Sequence, residues 1–222
     1  MKPTALLTAA ALGLALASPL GAHPHIYIDT DFDLVFDTDG KLTAVRIDWA
    51  YDDFYSLLMI EENGLDADGD GTPEQARLDA FAGQDVDWEA GFPGHFTLDA
   101  AGTPLALGPP EEHRVRYEDG RIITSHLRPL VARFEIDAAP LVARSYDPTY
   151  FVAYDVPETP GSQGRDDCSL TRNVASRDAA MKEYGDQLAA VDASDDPFQV
   201  VDLPDIGILF ADSFEITCNA PS

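Results

Sequence analysis

Ile26-Tyr27-Ile28-Asp29-Thr30-Asp31-Phe32-Asp33-Leu34-Val35-Phe36 is the stretch on which the fold turns. Ile26, Ile28, Phe32, Leu34 and Phe36 share one parity, and Asp29, Asp31 and Asp33 take the other. Successive side chains of a strand point to opposite faces, so this spacing predicts a strand with one buried and one wetted side. Asp37-Thr38-Asp39-Gly40 is a turn signal. From Leu42 to Tyr51 the residues Val45, Ile47 and Trp49 again share a face, which predicts an antiparallel hairpin.

Working outward, strand-like segments punctuated by Gly, Pro and Asp-Gly turns fall at 95–99, 104–107, 113–118, 121–127, 131–136, 141–146, 149–155 and 206–217. Helical spacing interrupts them at 53–63, through Phe54, Leu57, Leu58 and Glu61, and again at 74–82. A third helix is predicted over 176–191, with Ser176 as N-cap and Met181, Tyr184, Leu188 and Val191 on one face. Residues 157–167 and 192–205 read as loops. The expected class is mainly β with minor α (α+β): an antiparallel, sandwich-like domain with a helix-loop-helix insertion at 53–82 and one helix near the C-terminus.

The chain of 222 residues carries 40 acidic against 14 basic side chains, a formal charge of -26. That balance excludes a nucleic-acid binder, which needs clustered Lys and Arg to neutralise phosphates. Hydrophobic residues make up 45%, enough for a packed core. Met1-Lys2, the apolar run from Ala5 to Ala17 and Ser18-Pro19-Leu20-Gly21-Ala22 read as a secretory signal peptide, 1–22, cut after Ala22. The expected mature chain, 23–222, is one β-rich exported domain without a transmembrane segment. Cys168 and Cys218 are expected to form a disulfide that closes the part from 168 to 218.

His23-Pro24-His25 would then begin the mature chain, placing two imidazoles beside a free α-amine. On an extended strand residues i and i+2 point the same way, about 6.6 Å apart, so both rings can turn to one transition metal. Pro24 has no amide proton and cannot supply a deprotonated backbone nitrogen. Further ligands must come from elsewhere in the fold, and His95, His126, Asp52 and Asp147 are the candidates. Imidazole and amine donors suit zinc, nickel, cobalt or copper. A second cation motif is Asp66-Ala67-Asp68-Gly69-Asp70-Gly71, continuing through Thr72 to Glu74, whose carboxylates and turn glycine follow the start of a calcium loop. Its end departs, with Pro73 at an apolar position and Arg77 where a bidentate Glu is usual. G-x-S-x-G, P-loop and H-E-x-x-H motifs are absent, and no enzymatic activity is expected.

The segments His23 to Asp29, Trp49-Ala50-Tyr51-Asp52-Asp53-Phe54-Tyr55-Ser56, Asp66 to Gly71, Tyr146-Asp147-Pro148-Thr149-Tyr150-Phe151 and Phe210-Ala211-Asp212, leading to Cys218, together resemble the bacterial periplasmic family called domain of unknown function 1007. Members are described as periplasmic components of an uncharacterised ABC-type transport system, encoded beside nickel/cobalt-type permeases. The resemblance implies a periplasmic, metal-handling role with an inner-membrane metal permease or ABC-type transporter as partner. Arg77 departs from the family, whose members more often carry Glu there. The absence of βαβ alternation speaks for a metal-binding accessory rather than a two-lobed solute receptor. Two alternatives stay open at this point: an envelope interaction module held together by calcium and the disulfide, and a histidine-brace copper oxidase using His23.

Overall fold

The computed structural model describes residues 24–136, 140–192 and 205–219; the expected signal segment 1–22 and His23 lie outside them. The hairpin is formed as predicted. Strand β1 (Ile26–Phe36) pairs antiparallel with β2 (Leu42–Tyr51), placing Ile28 opposite Tyr51 and Phe32 opposite Ile47. Ile28, Phe32, Leu34 and Phe36 are buried. Thr30 is buried too, in the slot that the apolar alternation skipped, with its hydroxyl 3.5 Å from that of Ser145. At the turn the Asp37 carboxylate accepts from the backbone of Asp39 at 2.9 Å and Lys41 at 3.0 Å, and Gly40 supplies a φ of 74°.

The remaining strands are β3 (Phe96–Ala100), β4 (Thr103–Pro104), β5 (Glu111–Glu118), β6 (Arg121–Phe134), β7 (Leu141–Ser145), β8 (Val152–Asp155), β9 (Gly161–Gln163), β10 (Cys168–Asn173) and β11 (Ser213–Cys218). One sheet runs β5-β6-β2-β1-β8, with β9 also against β1, and the other runs β10-β11-β7-β3-β4. A shared core joins them, with the Phe32 ring of the first sheet meeting Phe96 at 5.0 Å and Phe214 at 5.6 Å from the second, both edge-on. Cys168 faces Cys218 across β10 and β11, and the two are bonded.

Several expectations are corrected. The sandwich is mixed rather than antiparallel throughout, because β8 and β9 both run parallel to β1. Each is separated from β1 by more than a hundred residues of chain, so no tight turn constrains its direction. The predicted strands 121–127 and 131–136 are one strand, β6. Pro129 is accommodated where the pairing with β2 shifts register, and its carbonyl accepts from Gly108 at 2.7 Å. Strand β10 and the short β9 form where no strand or a loop was expected. Most of β10 is exposed at a sheet edge, so it lacks the apolar alternation that marks a strand. The segment 206–217 divides into a tight 3-10 turn, Gly207–Leu209, and β11.

The helices are α1 (Asp53–Asn63), α2 (Gln75–Phe81) and α3 (Arg177–Asp192). In α1 the buried face is Ser56, Met59 and Ile60, while Phe54 is 75% exposed. Two contacts set that rotational phase: the Ser56 hydroxyl donates to the Tyr51 carbonyl at 3.2 Å and accepts from the Ile122 backbone at 3.0 Å. In α3, Ala180 and Leu188 pack on Ile206 and Phe210, whereas Met181, expected on the buried stripe, is largely exposed.

Candidate metal centre

The start of β1 is gripped from both sides. On one side the His25 backbone donates to the Phe151 carbonyl at 2.9 Å, the two rings lie 4.6 Å apart, and Ile26 pairs with Val152 of β8. On the other, the Asp52 backbone donates to the Tyr27 carbonyl and Asp52 Oδ2 accepts from Tyr27 N, both at 2.9 Å. Asp52 Oδ1 accepts from Tyr55 N at 2.8 Å, so this carboxylate also caps α1.

Asp147 lies in the turn between β7 and β8. Its Oδ2 accepts from the Val152 backbone at 3.0 Å, and its Oδ1 accepts from the backbone and hydroxyl of Thr149, each at 2.9 Å. The turn folds the side chain inward, and Asp147 is only 5% exposed. In the second sheet Phe96 pairs with Ser145, which brings His95 alongside Tyr146 and next to Asp147; the Tyr146 backbone donates to the His95 carbonyl at 2.9 Å.

His95 Nε2 stands 3.8 Å from Asp147 Oδ1, and His95 Nδ1 stands 3.0 Å from the Tyr154 hydroxyl. With the proton on Nδ1 and donated to Tyr154, the Nε2 lone pair faces the carboxylate. Burial holds the His95 pKa below its ordinary value, outweighing the pull of Asp147, which favours a neutral ring. Two lone pairs then face each other across a gap too long for a hydrogen bond. Ligands on one tetrahedral zinc-like ion sit about 3.3 Å apart, from bond lengths of about 2.0–2.1 Å. The Tyr154 contact is the kind of partner that fixes the tautomer and orientation of a metal-bound imidazole. His95 and Asp147 therefore fit a transition metal as two adjacent donors, with Tyr154 as support.

The predicted ligand set thus divides. His25, Asp52, Asp147 and His95 lie around one end of the sandwich, at the entry to β1. Within that group both oxygens of Asp52 and both oxygens of Asp147 accept backbone hydrogen bonds, and Asp147 is the one that stands beside an imidazole. His126 lies apart. It pairs with Ile47, four residues back from Tyr51 along β2, about 13 Å away at strand spacing. Its ring is wedged against Trp49 at 4.6 Å and Trp88 at 5.1 Å, and it is 1% exposed. Burial, helped by Arg128, His113 and Arg46, pushes its pKa down to about 3. Those positive neighbours oppose a cation beside it.

In the calcium-like loop, Asp66, Asp68 and Glu74 offer carboxylate oxygens within 4.8 Å of one another, the one such group of three or more metal-ligating side chains among the described residues. Asp66 also accepts from the backbone of Gly69 at 2.9 Å and Gly71 at 2.8 Å. Asp70 turns instead to the Thr72 backbone at 2.8 Å. Arg77 folds back to within 3.5 Å of Glu74 and donates to the Gly64 carbonyl, placing a cation where a bidentate carboxylate would close the loop. Exposed acidic groups of this kind are common without an ion.

Tyr154 was not legible as a site residue, since nothing in the chain spacing links it to His95. No curated protein and no solved structure matches the chain. The model of the family described as "Protein of unknown function (DUF1007)" matches residues 8–218, nearly the whole sequence, and the chain belongs to that family.

Proposed function

We propose that this protein is a periplasmic, transition-metal-binding accessory that buffers or delivers zinc, nickel, cobalt or copper for an inner-membrane metal permease or ABC-type transporter. The observation that carries the reading is the His95–Asp147 pair, whose ring nitrogen Nε2 and carboxylate oxygen Oδ1 stand 3.8 Å apart at the entry to β1. In the exported chain His23 and His25 would supply the remaining donors, one amine and two rings. The role is binding rather than catalysis, and the formal charge of -26 favours cation capture.

Among the described residues no helix is long and apolar enough to cross a membrane. The Cys168–Cys218 disulfide fits an oxidising compartment, in support of export. The Asp66, Asp68 and Glu74 carboxylates support a second, structural role for calcium at the α1–α2 loop.

Cobalt titration followed by visible absorption tests the transition-metal site. The expected result is a saturable ligand-field spectrum that His95→Ala and Asp147→Asn each weaken or abolish. Identical spectra in both variants would count against the site.

A further inference from the structure

We propose that the cleft lined by Trp88 and Arg128 binds a small organic carboxylate with a flat apolar body. This rests on observations independent of the metal centre. The cleft, about 620 Å³, is walled by Trp88, Phe92, Pro93, Leu107, Pro109 and His113, and Arg128 opens into it. Its size falls within the range of roughly 300–1,000 Å³ that small-molecule sites occupy.

Arg128 is the decisive group. It is 6% exposed, yet among the described residues no carboxylate pairs with it, in a chain where acidic side chains outnumber basic ones 40 to 14. Glu89 on the cleft rim makes no ion pair with it. Its guanidinium donates only to backbone carbonyls: Nε to Gly108 at 2.9 Å and Nη1 to Pro93 at 3.1 Å. Nη2 has no protein partner and is not among the buried unsatisfied atoms, so it reaches the cleft. A buried cation without a counter-charge is costly, and an anion supplied from outside relieves that cost.

The surroundings are shaped for this side chain. The guanidinium carbon lies 5.5 Å over the Trp88 ring. A Cβ on Gly94, whose φ is 89°, would overlap Nη1, so only glycine leaves room for it there. Behind the cleft the unmatched polar atoms are donors as well: the indole N–H of Trp88 and of Trp49 are buried without acceptors, beside the unpartnered His126 Nε2. Every unmet valence of fixed character calls for an acceptor. A bare cation is repelled by Arg128, and the aromatic and proline walls leave a polar inorganic anion no body contacts. A planar carboxylate satisfies both halves, its oxygens on Nη2 and its ring against Trp88 and the prolines.

Benzoate is the probe, and the two tryptophans of the chain, Trp49 and Trp88, are the reporters. Titration should shift the indole N–H resonance of Trp88 saturably. The uncharged isostere benzamide should bind about tenfold more weakly or worse, as expected when a charged hydrogen bond is lost. Pro109→Glu, at an exposed position on the cleft wall, should weaken benzoate without unfolding the protein. Arg128→Gln should abolish binding if it folds. Equal binding of benzamide, no response to benzoate in the parent, or unchanged affinity in Pro109→Glu would overturn the proposal. Equal binding by inorganic phosphate would overturn the assignment to an organic carboxylate.

Discussion

Acidification should destabilise this fold through one side chain whose contribution can be calculated. His126 has an ordinary pKa of 6.5 in the unfolded chain, and burial takes it to about 3 in the folded protein. Protons therefore bind the unfolded chain preferentially: the contribution is intact above about 6.5 and is lost as the pH falls toward 3. Between pH 7.5 and pH 5.0 the unfolded imidazole becomes almost fully protonated while the folded one stays neutral, and the linkage integral is about 2 kcal/mol. His126→Phe keeps a ring between Trp49 and Trp88 and removes the titration, along with a buried nitrogen that has no partner. Urea unfolding of parent and variant at both pH values measures the difference, since the other groups titrate in both proteins and cancel. The parent should lose about 2 kcal/mol more than the variant over this interval. Parallel pH profiles would refute the reasoning, because they would mean that the folded protein accepts the proton on His126 without penalty.

Replacing both Cys168 and Cys218 by Ser opens a loop of 50 residues and should cost roughly 4 kcal/mol in urea unfolding, on the chain-entropy account. Asp52→Ala removes the N-cap of α1 and the tie to Tyr27, for an expected loss of about 1–2 kcal/mol by the same assay. Phe32→Ala empties the contact between the sheets and should cost about 3–5 kcal/mol. Calcium at ten times a millimolar-range dissociation constant should stabilise the protein by about 1.4 kcal/mol, and Asp68→Ala should remove the effect; an unchanged melting temperature in the parent would speak against the loop as a calcium site.

The hairpin was legible because its two periodicities agree: the apolar parity of β1 and the Val45-Ile47-Trp49 parity of β2 both demand one buried face. Strand β10 was not, because at a sheet edge only Cys168 and Leu170 turn inward, two positions too few to make a pattern. The phase of α1 was not legible for a related reason. Phe54, Leu57 and Leu58 are the more apolar residues, but the Asp52 cap and the Ser56 hydroxyl dock the helix by its other side. His95 and Asp147 were each recognisable as potential ligands. Their meeting was not, since it depends on Phe96 pairing with Ser145 across β3 and β7. Tyr154 reaches His95 only because β8 runs parallel to β1, a pairing the short apolar stretch around it does not announce. Arg128 fell between two predicted strands, and its lack of a carboxylate partner among the described residues emerges only once the backbone carbonyls of Pro93 and Gly108 close around it.

The proposed site, His95 with Asp147 at the entry to β1, makes a direct demand on metal affinity. Calorimetric titration of zinc, nickel, cobalt and copper into the full exported chain, in parent, His95→Ala and Asp147→Asn forms, tests it most directly. At least one metal should bind one-to-one and tighter than about 10 µM, roughly 7 kcal/mol, with affinity falling about tenfold or more in each variant. Binding weaker than that limit for all four metals, or tight binding that neither substitution disturbs, would contradict it.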